Sequence, residues 1–547
     1  MTSDSDIDVE LKRLEALSAC RLGLPAYYAS ALETTDGTLR VAAVAALLEL
    51  GALRPAQWPL ALELSCHNAV RTRAFKLLMA RFEYDLARQV MQTDAPRVDD
   101  LRTQRMRAEL DRDLPSCLDL DREIFLATGL IEHMHDARAT SEIIGGWRAA
   151  IKWAVLTVLV QPADPRGAYM LLNHLLEANQ IDRVDTVCQG FARAGVYPLE
   201  CSIFGAFVAT ARGEPKRAIK LLEPVLSREI GNNLRSTALR ARASAFEALG
   251  QFRPAYNSYA QMNEVGLAPN AARVDIAKHY LDRAAYHIGD LEPDDRRSSH
   301  FMMVGFPRSG TTLLENALAA HPQIETFEEV PSFSRAVSFI DQHVKPGHPI
   351  PQSVSLEARR RYYEELDRRR TKAGARLFVD KLPLNSAAIK FLESLLPGKR
   401  YIFSIRHPFD VVLSCFKQHF GRNLAMDNFR RFADACRLYD FAMTQWFDVF
   451  ELEESERVAY VRYEQLVNDF ETTVTRVLRF VGADWSDEVL HFAEQADRRS
   501  ARTPSYQKVR SGLTIGVQSS WQNYAFLFEG KDAAPLQRWV SHFGYDH

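Results

Sequence analysis

"HFMMVGFPRSGTTLLENALAAHPQIETFEEV", residues 300–330, is the stretch that decides the fold. An apolar run, residues 300–306, leads into a turn, Pro307 to Gly310, and then into a helical pattern from Thr311 to Ala320. Gly305 and Gly310 have the Gly-x-x-x-x-Gly spacing of a phosphate-cradling loop, but Thr311 stands where a triphosphate loop carries lysine. Strand, turn and helix in this order aim backbone N–H groups and the positive end of the helix at an anion. The hydroxyls of Ser309, Thr311 and Thr312 add donors, and Arg308 adds charge. Without the lysine, the loop suits a nucleotide that places one phosphate there, not a triphosphate with magnesium.

Beyond this stretch the pattern continues to alternate. "ARLFVDK" (375–381), "KRYIFSI" (399–405) and "RVAYVRY" (457–463) are short β-rich runs separated by amphipathic helical segments. That order predicts a three-layer α/β domain over 297–547, with a parallel sheet covered by helices and a phosphate site at its carboxyl edge.

Upstream, residues 1–296 read as a helical domain with hardly any β-branched alternation. "NQIDRVDTVCQGF" from Asn179, "GEPKRAIKLLEPV" from Gly213 and "GQFRPAYNSYAQM" from Gly250 each place a turn residue before a new helix. Gly213 and Gly250 suit helix ends, and Ala218 and Ala255 are small enough for close helix packing. Helix pairs recurring at this period are clearest over 165–275 and resemble tetratricopeptide repeats. Such repeats offer a surface for a peptide or partner, a homodimer contact or a cover for the sheet, and the sequence leaves these open.

A chain of 547 residues with 47% hydrophobic and 25% charged residues belongs to the globular class and exceeds one core. A formal net charge of −2 argues against a broad surface for nucleic acid or anionic membrane. The first residues form no signal peptide, and the apolar run from Val41 is too short to span a bilayer, so a cytoplasmic location is expected. Seven cysteines without a Cys-x-x-Cys pair predict reduced thiols and no zinc site.

A second motif joins the first. After the strand "RYIFSI" comes "RHPFDVVLSCF", with Arg406 at the strand end and Ser414 eight residues later in a helix. Together with Pro-Arg-Ser-Gly-Thr-Thr (307–312), this resembles the sulfotransferases, which use 3′-phosphoadenosine 5′-phosphosulfate (PAPS). The resemblance covers roughly the last 250 residues. It is closest to protein-tyrosine sulfotransferases and to bacterial sulfotransferases with tetratricopeptide repeats.

The resemblance implies that residues 308–312 hold the 5′-phosphosulfate, and that Arg406 and Ser414 hold the 3′-phosphate. It puts Glu329 on the catalytic base, Lys381 on a lysine contacting the transferring sulfonate, and Tyr463 on the adenine side. It makes Ser505 a sulfonate or phosphate contact, and Lys508 and Arg510 further contacts, in a cofactor-closing loop. Glu328, His321 and His407 read as structural, and His419 as the alternative base.

The implied reaction is in-line sulfuryl transfer to a hydroxyl acceptor, with no metal needed. A tyrosine in a peptide or protein is favoured, ahead of a small phenol, glycan or lipid alcohol. A repeat scaffold with a catalytically inactive nucleotide domain is the reading from a different class. The chain also departs from the tyrosine-sulfotransferase pattern. Of two arginines expected after the base only Arg335 is present, and Pro331 takes the other place.

Overall fold

The computed structural model describes residues 32, 37–49, 53, 55–66, 68–80, 84–92, 101–111, 113–128, 132–160, 164–266, 287–288, 291–293, 295–345, 348–420, 423, 425–492 and 519–545. The chain divides into two compact units, Met1–Ile144 with Phe333–His343, and Gly145–Ser332 with Val344–His547. The first unit contains helices Gly37–Glu49, Asn68–Ala80, Tyr84–Gln92, Leu101–Asp111 and Leu114–Thr128. Val44, Leu47, Phe75, Leu78 and Val90 form its apolar core. Arg335 lies on helix Ser332–His343 in the segment grouped with this unit.

The second unit opens with helices Pro165–Glu177, Ile181–Ala194, Pro198–Ala211, Pro215–Leu226, Asn232–Ala248 and Phe252–Glu264. Three of their turns depend on left-handed backbone: φ is +57° at Asn179, +79° at Gly213 and +70° at Gly250. Asparagine and glycine adopt this conformation at low cost, which is why these residue types punctuate the repeat. Five residues after each turn, Val184, Ala218 and Ala255 are fully buried. Small side chains there let neighbouring helices close on one another.

The same unit contains five parallel strands: β1 (His300–Gly305), β2 (Ile324–Glu328), β3 (Leu377–Lys381), β4 (Arg400–Ile405) and β5 (Val458–Arg462). Their order is β2-β3-β1-β4-β5. From β1 the chain goes to the edge strand β2 and returns to β3 between them, then builds outward on the other side through β4 and β5, so a crevice opens at the carboxyl end of β1. On one face Met303, Val379, Ile402 and Val461 pack against Leu314 and Leu318 of helix Thr311–Ala320 and Val474, Val477 and Leu478 of helix Phe470–Val481. On the other, Trp446 meets Phe403 at 4.4 Å and Tyr401 at 5.4 Å between ring centres. Strands covered on both faces read as apolar runs, and four of the five were visible as such. β2, sequence IETFE, was not expected, because two glutamates break its apolar pattern.

Among the described residues, Cys117, Cys188, Cys201, Cys415 and Cys436 are free thiols. No described helix is long and apolar enough to cross a membrane.

At the amino end of β1, His300 is buried, and burial, reinforced by Lys399 and Arg296, pushes its pKa down from 6.5 to about 3. The native imidazole is therefore neutral where the unfolded chain is protonated, so His300 contributes stability above pH 6.5 that is lost as pH falls toward 3. His300→Phe should flatten the pH dependence of urea unfolding in this window by up to one proton. Equal slopes for variant and parent would refute this assignment.

Candidate functional site

The loop leaves β1 where the backbone is most crowded. Gly305 has φ +148°, and a Cβ there would lie 2.6 Å from the Ser404 carbonyl oxygen on β4. Ser386 Oγ donates to the Gly305 carbonyl at 2.5 Å, and Cys415 Sγ donates to the Pro307 carbonyl at 3.3 Å. Burial raises the Cys415 thiol well above its ordinary value and keeps it in the donor form.

Gly310 closes the loop with φ +98°, and a Cβ on it would meet the Tyr463 ring at 2.5 Å. Thr311 and Thr312, both buried, begin the helix whose N-terminus faces the turn. Ser309 Oγ is buried without a hydrogen-bond partner.

Arg308 has φ +73°, a left-handed conformation uncommon outside glycine. Its Nε donates to Ser414 Oγ at 3.0 Å, and its carbonyl accepts from Arg406 Nη1 at 3.3 Å. Although its side chain is partly open to solvent, its surroundings are dense, and desolvation together with the Arg406 charge lowers its pKa. The Arg406 guanidinium lies 4.5 Å from the centre of the Tyr463 ring, and its Nε is buried without a partner. Arg308, Arg406, Ser414 and Tyr463, drawn from three separate segments, thus meet around one turn.

The second cluster is one strand away. The register pairs Met303 with Lys381 and Lys381 with Glu328. Lys381 Nζ, fully buried, lies 3.2 Å from Glu315 Oε2, 3.2 Å from Glu328 Oε1 and 3.3 Å from Glu329 Oε1. Thr326 Oγ1 donates to the other Glu315 oxygen at 3.1 Å. Glu329 has φ +47°, and its N–H donates to the Lys381 carbonyl at 2.8 Å. Two of the four non-glycine residues with positive φ among the described residues are therefore Arg308 and Glu329. Such strain persists only where surrounding contacts over-determine it, and it concentrates at functional sites.

Glu329 pairs with lysine. Its side chain is 39% exposed while Lys381 is 0% exposed, so the carboxylate can be approached from solvent. Glu315 was missed. The signal available was one charged residue in an otherwise apolar stretch of the helix, every residue of which is buried.

The histidines behave as turn residues. His321 Nδ1 accepts from the Gln323 N–H at 3.2 Å, leaving Nε2 to donate to the Asp484 carbonyl at 3.0 Å. His407 Nδ1 accepts from the Phe409 N–H at 3.2 Å and caps helix Pro408–Phe416. Burial lowers the pKa of both. His419 lines a small cavity with Asn263, Phe429 and Arg430; although it is exposed to solvent, dense surroundings followed by Arg240 and Arg430 lower its pKa. Trp521 and Tyr524 lie in a kinked 3₁₀ segment, where Trp521 stacks on His407 and Tyr524 is buried. Ser505, Lys508 and Arg510 lie outside the described residues.

Part of the chain that carries this geometry is similar to known proteins. Residues 301–487 match the model of the sulfotransferase family. Over 262 residues the chain is 26% identical to protein-tyrosine sulfotransferase 2 of Gallus gallus, covering 44% of this chain and 68% of that one. It is 25% identical to an uncharacterized protein of Aquifex aeolicus over 236 residues, 41% of this chain and 30% of that one. The sulfotransferase domain of the Synechococcus PCC 7002 olefin synthase aligns at 21% identity over 45% of this chain and 98% of its own, with a TM-score of 0.28.

Gly310→Ala should combine left-handed backbone strain with a collision against Tyr463. The expected loss is about 2 kcal/mol or more of unfolding free energy, read by urea denaturation. Unchanged stability would mean that the ring is not held against the loop.

Proposed function

We propose that this chain, whose residues 301–487 belong to the sulfotransferase family, transfers a sulfuryl group from PAPS to a hydroxyl acceptor with Glu329 as general base. The observation that carries the reading is the register that sets Lys381, bearing Glu329, one strand away from the anion loop. The residues around the loop suit a phosphosulfate: Ser309 Oγ and Arg406 Nε are buried polar atoms without a protein partner.

In this reading residues 308–312 hold the 5′-phosphosulfate, Arg406 and Ser414 the 3′-phosphate, and Tyr463 supports the adenine side. Ser505, Lys508 and Arg510 close over the donor. PAPS supplies an activated sulfuryl group that leaves its phosphate as the acceptor oxygen attacks. Arg308 places positive charge at the reacting end, where preorganised charge is worth more than in water, and Lys381, shared among three carboxylates, holds Glu329 there. Glu329 accepts the acceptor's proton.

A tyrosine hydroxyl, with a pKa of about 10, needs such a base at neutral pH. Similarity to a protein-tyrosine sulfotransferase favours a tyrosine in a peptide or protein as acceptor. The helix pairs of residues 165–264, read as tetratricopeptide-like, offer it a surface.

Thermal unfolding with 3′,5′-diphosphoadenosine, compared with ADP and with ATP plus magnesium, tests the donor. A ligand at a hundred times its Kd adds about 2.7 kcal/mol of native-state stability. The 3′-phosphate compound should give the largest shift, and a larger shift with ATP and magnesium would overturn the reading. Glu329→Gln should lower turnover by about 10²- to 10⁴-fold with nucleotide binding nearly unchanged, as measured by radiolabelled sulfate transfer and calorimetry. Full turnover in that variant would remove Glu329 from the mechanism. Arg406→Ala should weaken the diphosphate by about tenfold or more while sparing ADP, and equal losses for both would contradict its role.

A further inference from the structure

Ser414 sits in the last turn of helix Pro408–Phe416, and its neighbours in that turn are held by the last two repeat helices, Asn232–Ala248 and Phe252–Glu264. Leu413, 1% exposed, packs with Ala255 and Tyr524. The Phe416 ring stacks on Tyr256 at 5.2 Å and 23°. The Phe416 carbonyl, at a helix end where backbone acceptors lack intrahelical partners, accepts from Asn263 Nδ2 at 2.8 Å. Arg430 Nη1 donates to the Asn263 carbonyl at 2.8 Å and so fixes the residue from its backbone side. Lys417 Nζ lies 2.5 Å from Glu247 Oε1, and the same carboxylate accepts from Tyr524 OH at 2.5 Å and Tyr259 OH at 3.0 Å.

We infer that Glu247 and Asn263 are positioning residues for the donor's 3′-phosphate, acting through the end of helix Pro408–Phe416 on Ser414. This rests on the sulfotransferase reading. Ser414 Oγ accepts the Arg308 Nε hydrogen bond at 3.0 Å, while the Arg308 carbonyl is held by Arg406 Nη1 at 3.3 Å, so a shift of this helix end moves the serine and leaves the arginine in its loop. The last repeat pair is thereby part of the wall behind the nucleotide. It sets recognition of the 3′-phosphate without touching the nucleotide itself.

The test uses the full chain and titration calorimetry with 3′,5′-diphosphoadenosine and ADP. Wild type must prefer the diphosphate; failure there sinks the sulfotransferase reading itself, and this inference with it. Given that preference, Asn263→Ala and Glu247→Gln should each weaken the diphosphate by about tenfold and leave ADP within about twofold. In the Ser414→Ala background the same changes should add little, because they act through that serine.

Lys417→Met removes the ion pair from the partly exposed side and should show the same selective loss, which keeps the test open where a buried change prevents folding. In transfer assays the variants should raise KM for PAPS more than they lower kcat. Variants that lose thermal stability yet keep the wild-type ratio of diphosphate to ADP affinity would overturn the inference. Losses that add fully to that of Ser414→Ala would do the same.

Discussion

The anion-loop end of the sheet depends on how closely β1 and β4 run at Gly305. No side chain fits between that residue and the Ser404 carbonyl, so the chain leaves the sheet as bare backbone. Ser386 then holds the Gly305 carbonyl and Cys415 holds that of Pro307, and both fix the direction of the turn before any ligand arrives. The left-handed Arg308 follows from this launch angle. Its guanidinium is directed to Ser414 and its carbonyl to Arg406. The strain is local, and the buried contacts on either side maintain it.

A comparable constraint operates at the end of β2. The N–H of Glu329 completes the pairing with β3 through the Lys381 carbonyl, and the next step of chain must turn away in a left-handed conformation. That turn carries the carboxylate outward while Nζ of the same lysine holds it from below. Glu315 and Glu328 share the ammonium, so its position is set by three directions at once. A carboxylate attached to a rigid strand end needs little rearrangement to meet a partner group.

Much of this was legible in local sequence. The loop, the Arg406 to Ser414 spacing and four strands announce themselves within a few residues, because turn chemistry and apolar runs act over short distances. β2 escaped because Glu325 and Glu328 interrupt it; Glu325 accepts from the Thr371 N–H and Glu328 pairs with Lys381, so both acids are satisfied within the fold. Glu315 lies in a helix that reads as ordinary until the strand beside it supplies a lysine. Glu247 and Asn263 were invisible for a plainer reason. Their partners Phe416, Lys417 and Tyr524 lie more than 150 residues away, and nothing in either local pattern names them.

The Glu247 carboxylate gathers Lys417, Tyr259 and Tyr524, and so joins a repeat helix, the segment after Ser414 and the end of the chain. Inheritance is constrained by this knot. A recombination event near residue 297 would deliver a sheet whose helix Pro408–Phe416 had lost its far support. Helices Asn232–Ala248 and Phe252–Glu264 are therefore tied to the sheet through descent as one piece.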